Sequence, residues 1–205
     1  MPCCCGARPV RSLACLFEDR RWPTWLLRRL GTGIPHPRNK CTPPTNPGLL
    51  PARTPAAVSW DEVLGHLARR TGLLDGIVFS GGEPLLQRGL PQAVREARAL
   101  GLEVGLHTGG AFPRRLARLL DARLLDWVGF DVKAPPGRYE RVTGIGHAAA
   151  SAEHSLRLLL ASGVPHQLRT TVDPSLLDPP AMADLDAWLA ELGARPTLRQ
   201  EVRRH

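Results

Sequence analysis

Lysine, tyrosine and evenly spread cysteine are what this 205-residue chain has least of. Lys40 and Lys133 are the only lysines among 27 basic Lys and Arg side chains. In a chain that takes arginine by default, a lysine on a strand end stands out. Tyr139 is the only tyrosine, and aromatic residues make up 5%. There is no alternation of basic and aromatic residues such as a nucleic-acid groove requires. All five cysteines (Cys3, Cys4, Cys5, Cys15 and Cys41) fall in the first quarter, whereas a secreted disulfide framework would spread them over the fold. No apolar run approaches the ~20 residues that span a bilayer. Arg8 and Arg11 precede only a short apolar stretch, Ser12 to Phe17, which is no signal-peptide core. The chain therefore reads as cytoplasmic, with no membrane and no nucleic-acid partner. A GxSxG nucleophile elbow, a GxxxxGKS/T phosphate loop and an HExxH zinc motif are also missing.

What charge there is lies unevenly. The net charge is +8, and residues 1–50 hold eight basic groups against two acidic ones. The same segment holds eight of the 20 prolines and shows no helical or strand periodicity. Residues 1–45 are accordingly expected to be an irregular basic arm, with an out-of-frame origin or a misplaced gene start as its explanation. Residues 46–205 are expected to form one domain.

From residue 46 the pattern becomes regular. Ser59-Trp60-Asp61-Glu62 has the form of a capping box, and Val63, Leu64, Leu67 and Leu73 predict a helix to about Leu74. Strands are predicted at 76–80, 102–108, 127–133 and 166–172, and helices at 90–100, 114–120, 151–161 and 180–192. Residues 196–204 read as a short strand or a frayed tail. Strand–helix units in succession imply parallel strands with right-handed crossovers. A closed eight-stranded barrel takes roughly 250 residues. The expected fold is therefore α/β, an open partial barrel with parallel strands.

In such a fold functional groups gather at strand C-termini. Those ends hold Gly81, Gly82, Glu83 and Pro84, then Thr108-Gly109-Gly110, then Asp131 and Lys133, then Arg169 to Thr171. Glycines bring bare backbone close to a ligand, and the proline fixes the exit. Plainer readings stand beside these. Glu83 also suits a helix N-terminus, Asp131 and Lys133 a surface ion pair, Arg169 an exposed strand position, and His107 a packed core histidine. Nothing in the sequence marks a residue as catalytic.

The segments VFSGGEPLLQ (78–87), LHTGG (106–110), WVGFDVKAPPGRYERVTG (127–144) and LRTTVDP (168–174) resemble the radical S-adenosylmethionine superfamily. Within it they are most similar to the activating proteins of anaerobic ribonucleoside-triphosphate reductase, the glycyl-radical activases. The resemblance implies a six-stranded partial barrel, here lacking its first strand and exposing that edge, S-adenosylmethionine and a 4Fe–4S cluster as cofactors, and a glycyl-radical reductase as partner. It implies that Gly81, Gly82, Glu83, Pro84, Thr108, Asp131, Lys133 and Arg169 bind the cofactor. Backbone and carboxylate near GGEP suit its ammonium, Lys133 or Arg169 its carboxylate, and Asp131 its ribose or amino group. Arg138 to Gly144, with Tyr139, matches a family loop that shapes the site. The family's CxxxCxxC cluster loop is missing. Counting back from Asn46-Pro47 places its three ligands at Pro37, Cys41 and Pro44, so Cys41 alone is a candidate metal ligand. The alternatives are a cluster-less, inactive remnant and a radical enzyme acting on a small molecule, similar to a deazaguanine synthase.

Overall fold

The computed structural model describes residues 59–201 and the backbone of residues 13–16. Gly76–Phe79 is apolar throughout, so it must be covered on both faces. It forms β2, buried at every position. The chain runs β1 (Leu13–Leu16), α1 (Trp60–Ala68), β2, α2 (Leu90–Ala99), β3 (Glu103–Thr108), α3 (Pro113–Asp121) and β4 (Trp127–Asp131). It continues through α4 (Tyr139–Thr143), α5 (Ala148–Ser162), β5 (His166–Val172), α6 (Pro179–Glu191) and β6 (Leu198–Glu201).

The Ser59 capping box forms as its sequence requires. Ser59 N–H donates to Glu62 Oε2 at 2.8 Å, and Glu62 N–H donates to Ser59 Oγ at 3.2 Å. The helix then stops at Ala68 rather than near Leu74. Thr71 Oγ1 donates to the Ala68 carbonyl, and Gly72 takes φ +85°. That turn leaves Leu73 73% exposed and sends Leu74 into the core. Helix α4 also departs from the sequence reading, which treats this stretch as loop. The buried ring of Tyr139 anchors it, and Gly144 closes it in the left-handed conformation.

The strands lie side by side in chain order, β1 to β6, and every pairing is parallel. Such an order winds in one direction, so the crossover helices fall on one face and the other face becomes the inside of an open barrel. Strands β2 to β5 are the ones read from the sequence, and of the two readings of residues 196–204, short strand or frayed tail, β6 is the strand. The expectation that the first strand is missing is corrected: Leu13–Leu16 pairs with Gly76–Phe79, Leu13 opposite Gly76 and Leu16 opposite Phe79. Without that partner the edge of β2 would be a row of unpaired N–H and C=O groups, and this four-residue run has the length to pair with it.

Alternation along each strand sorts the side chains. Ile77, Phe79, Val104, Leu106, Val128, Phe130 and Leu168 pack beneath the helices in one core with Leu116, Leu156, Leu159 and Leu185. The inner face carries Val78, Gly105, His107, Trp127, Gly129, Asp131 and Arg169. Its two glycines are set by close approach. A β-carbon at Gly105 would lie 2.9 Å from Val78 Cγ2, and one at Gly129 2.7 Å from both His107 Cδ2 and Trp127 Cη2.

Gly110, just beyond β3, has the tightest surroundings. Its φ is +76°, and a β-carbon there would lie 2.5 Å from Phe130 Cζ and 2.9 Å from Ser155 Cβ. Gly110→Ala combines backbone strain with overpacking and is expected to cost about 3 kcal/mol or more. Gly137→Ala, where a β-carbon meets nothing within 4 Å, is expected to stay within about 0.5 kcal/mol of wild type. Urea unfolding of both variants checks this; equal costs would contradict it.

Candidate functional site

The turn after β2 opens at Gly81, whose φ of +144° favours glycine. Gly81 and Gly82 are exposed, and Pro84 is buried as the first residue of a short 3-10 turn, Pro84–Leu86. Arg115 on α3 donates to the carbonyls of Leu85 and Leu86, both at 2.7 Å, and holds that turn in place. Glu83 is the residue this geometry aims. Its Oε1 accepts from Leu85 N–H at 3.1 Å and from Thr108 Oγ1 at 2.9 Å. Its Oε2 accepts from Gly109 N–H at 3.0 Å. The helix-terminus reading of Glu83 therefore holds together with an inward-facing role, since the same carboxylate caps the turn and binds the end of β3. Burial pushes its pKa above the usual carboxylate range, opposed by the Leu85, Thr108 and Gly109 hydrogen bonds and by Lys133.

Thr108 is only 2% exposed. Its hydroxyl donates to Glu83 and accepts from Gly110 N–H at 3.0 Å. Ser155, buried on α5, donates to the Gly110 carbonyl at 2.7 Å. A continuous chain of hydrogen bonds thus runs from a core helix to the Glu83 carboxylate.

A second group lies on the inner face across β3, β4 and β5. Asp131 stands opposite Arg169 in the register. Its Oδ1 accepts from Arg169 Nε at 3.0 Å, with Nη2 at 2.7 Å, and its Oδ2 accepts from Lys133 Nζ at 3.3 Å. The Arg169 side chain is only 12% exposed, so it is not the open strand residue of the plainer reading. Lys133 remains 38% exposed, with an ammonium that has donors to spare. Its backbone N–H donates to the Tyr139 hydroxyl at 3.4 Å. Burial pushes the Tyr139 pKa up to about 12, so the phenol stays neutral.

The two groups share one rim. A β-carbon at Gly109 would lie 3.8 Å from both Glu83 Oε2 and Lys133 Cε. Glu83, Thr108, Asp131, Lys133 and Arg169 are brought together, with Gly81 and Gly82 on the exposed turn beside them. Thr108 faces the protein rather than the opening. Cys41 lies outside the described residues. Among the described residues no cluster of three or more His, Cys, Asp or Glu side chains is placed to hold a metal ion, and no helix is long and apolar enough to cross a membrane.

Sequence reasoning missed Ser80 and Trp127. Ser80 Oγ lies 3.3 Å from His107 Nδ1, Arg169 Nη1 lies 3.4 Å from His107 Nε2, and the His107 and Trp127 rings meet edge to face at 5.4 Å. Serine directly before the glycines was the available signal, but its partner is 27 residues away and follows only from the register of β2 on β3.

A parallel partial barrel with its polar groups on the strand C-termini defines the class. Residues 41–183 match the Radical SAM superfamily, and the chain belongs to it. Curated relatives include a Methanocaldococcus jannaschii protein whose provisional name is glycyl-radical enzyme activating enzyme. It is 28% identical over 116 residues, 54% of this chain and 48% of the relative. The Fe-coproporphyrin III synthase of Methanosarcina barkeri is 30% identical over 111 residues, 53% of this chain and 28% of the relative. The chain thus spans about half or less of these relatives' lengths. Among solved structures, native anSMEcpe with bound AdoMet shares the fold with a TM-score of 0.54 at 18% identity, covering 70% of this chain and 43% of that one.

Two outcomes follow from the geometry. Thr108→Val keeps the shape but removes the donor to a half-buried carboxylate, and is expected to cost about 1–3 kcal/mol by urea unfolding, whereas Thr108→Ser is expected to stay close to wild type. His107 supplies a pH dependence. Burial, and then the neighbouring Arg169 cation, lower its pKa from 6.5 to about 4, with Asp131 opposing. The folded imidazole therefore binds its proton more weakly than the unfolded one. Its contribution is complete above pH 6.5 and is lost as the pH falls towards 4. Stability of the wild type is expected to fall more steeply over that window than stability of His107→Gln, by on the order of 2 kcal/mol. Parallel slopes would contradict this.

Proposed function

We propose that the rim built by Glu83, Asp131, Lys133 and Arg169 binds S-adenosylmethionine, and that the chain is a glycyl-radical activase whose partner is the anaerobic ribonucleoside-triphosphate reductase. One observation carries the ligand reading: a half-buried carboxylate and a partly exposed ammonium flank the bare backbone of Gly109. S-adenosylmethionine carries an ammonium and a carboxylate on one carbon, a sulfonium beyond them, and a ribose. Glu83 uses three donors, and a carboxylate has roughly four acceptor sites, so one remains for the ligand ammonium. An arriving cation would also reverse the upward shift that burial imposes on Glu83. Lys133 and the free N–H groups of Arg169 suit the ligand carboxylate, and Asp131 suits a ribose hydroxyl. Gly81 and Gly82 let the ligand lie against the turn, and Pro84 fixes the way out of it.

The described residues do not fit a 4Fe–4S cluster. No cysteine occurs in residues 59–201, and three soft thiolates are what such a cluster takes. Across the whole sequence no three cysteines have the CxxxCxxC spacing, and Cys41 alone occupies a position that the resemblance implies. A second reading follows: a chain that binds S-adenosylmethionine or the partner without making radicals. The relatedness to an Fe-coproporphyrin III synthase gives no ground on this chain for a porphyrin substrate, since substrate groups vary on one fold.

Lys133→Ala is expected to weaken S-adenosylmethionine binding by about 1.5–3 kcal/mol in titration calorimetry, the range for a charge-assisted bond. Unchanged affinity would return Lys133 and Asp131 to a plain ion pair. Anaerobic reconstitution of the chain separates the two readings: a chain left without bound iron would overturn the activase and favour the cluster-less reading. About four iron and four sulfide per chain would overturn the cluster-less reading and favour the activase.

A further inference from the structure

We infer that His107 is a positioning residue that holds Arg169 in place beside Asp131, acting as the neutral Nδ1–H tautomer between Arg169 and Ser80. The inference deepens the proposed ligand reading, and its affinity arm rests on that reading. The argument begins with what each partner can do. A guanidinium has five N–H donors and accepts nothing. The His107 nitrogen facing Arg169 Nη1 at 3.4 Å is Nε2, so a favourable contact requires Nε2 to be bare. A neutral ring with a bare Nε2 carries its proton on Nδ1, which faces Ser80 Oγ at 3.3 Å. Nδ1–H then donates to the serine, and the serine hydroxyl hydrogen is free to turn towards the Gly81-Gly82 opening. A protonated ring would set one cation against another, and burial already disfavours that state.

The consequence falls on Arg169. Nε and Nη2 are committed to Asp131, and Nη1 to His107. Gripped at both ends, the planar guanidinium is held in one orientation, with its two remaining N–H groups outside these contacts. The ring is itself held: Trp127 packs on its edge, and Gly129 has no side chain where a β-carbon would lie 2.7 Å from His107 Cδ2. Strand β3 then serves both halves of the rim from adjacent residues. Thr108 orients Glu83 from the helix side, and His107 orients Arg169 from the inner side.

The first test needs no ligand. In the full chain carrying ¹⁵N-histidine, the His107 signals are identified by their loss in His107→Gln. At pH 7 the expected spectrum is that of a neutral ring protonated at Nδ1. An Nε2–H ring or an imidazolium would overturn the inference. The second test separates positioning from space-filling. The Gln carbonyl can accept from Arg169 where Nε2 did, whereas leucine of similar size cannot. His107→Leu is expected to raise the Kd for S-adenosylmethionine at least tenfold, about 1.4 kcal/mol, while His107→Gln stays within about threefold of wild type. Leucine binding as wild type does, or glutamine failing as badly as leucine, would overturn the inference. If His107→Leu does not fold by circular dichroism, the tautomer and the glutamine variant decide. A wild-type chain that does not bind S-adenosylmethionine would defeat the ligand reading, and the tautomer alone would then decide the role of His107.

Discussion

A half-buried carboxylate with three local donors organises this molecule. Glu83 is drawn out of water where two strands end, and a carboxylate without partners there would be costly. Leu85 N–H, Gly109 N–H and the Thr108 hydroxyl supply the partners. Because those donors sit on two elements, satisfying the charge also fastens the turn after β2 to the end of β3. The glycines in that turn, which would otherwise wander, acquire a fixed path. Burial still leaves the carboxylate less acidic than usual, which is the electrostatic condition of a site that gains from a cation.

The two faces of the sheet divide the remaining work. On the helix side, packing and the Ser155–Gly110–Thr108 hydrogen bonds tie the Glu83 carboxylate to the rigid core. On the inner side Val78 and Trp127 lie among glycines and polar side chains. Asp131 and Arg169 neutralise each other across the register, and Lys133 joins them at the solvent edge. A parallel sheet sends both sets to the same rim because all its strands end on one side. The chemistry is placed by topology before any individual side chain is considered.

That explains what could be read from the sequence. The alternation of strands and helices carried the architecture; GGEP, Asp131 and Lys133 were legible because each follows an apolar run and lies at its end, and Arg169 because it is a charge inside a predicted strand, His166–Val172. The His107–Ser80–Arg169 group was not legible. Its outer members, Ser80 and Arg169, are 89 residues apart (169 − 80), and only the registers of three strand pairs bring them together. Leu13–Leu16 was hidden for another reason: four residues are too few to show a period, and pairing with an existing edge needs none. The overrun of α1 came from counting Leu73 as periodic when Thr71 and Gly72 end the helix first. Helix α4 is one turn held by a single buried ring, below what periodicity detects.

If Glu83, Gly109 and the Asp131–Lys133 strand end form one ligand rim, S-adenosylmethionine should slow backbone exchange at all of them together. Hydrogen exchange by mass spectrometry on the full chain, with and without saturating S-adenosylmethionine, measures this directly. The account expects protection concentrated in peptides covering 80–87, 107–112 and 129–139, with α2 and α6 unchanged. Protection elsewhere, or in only one of the three segments, would contradict it.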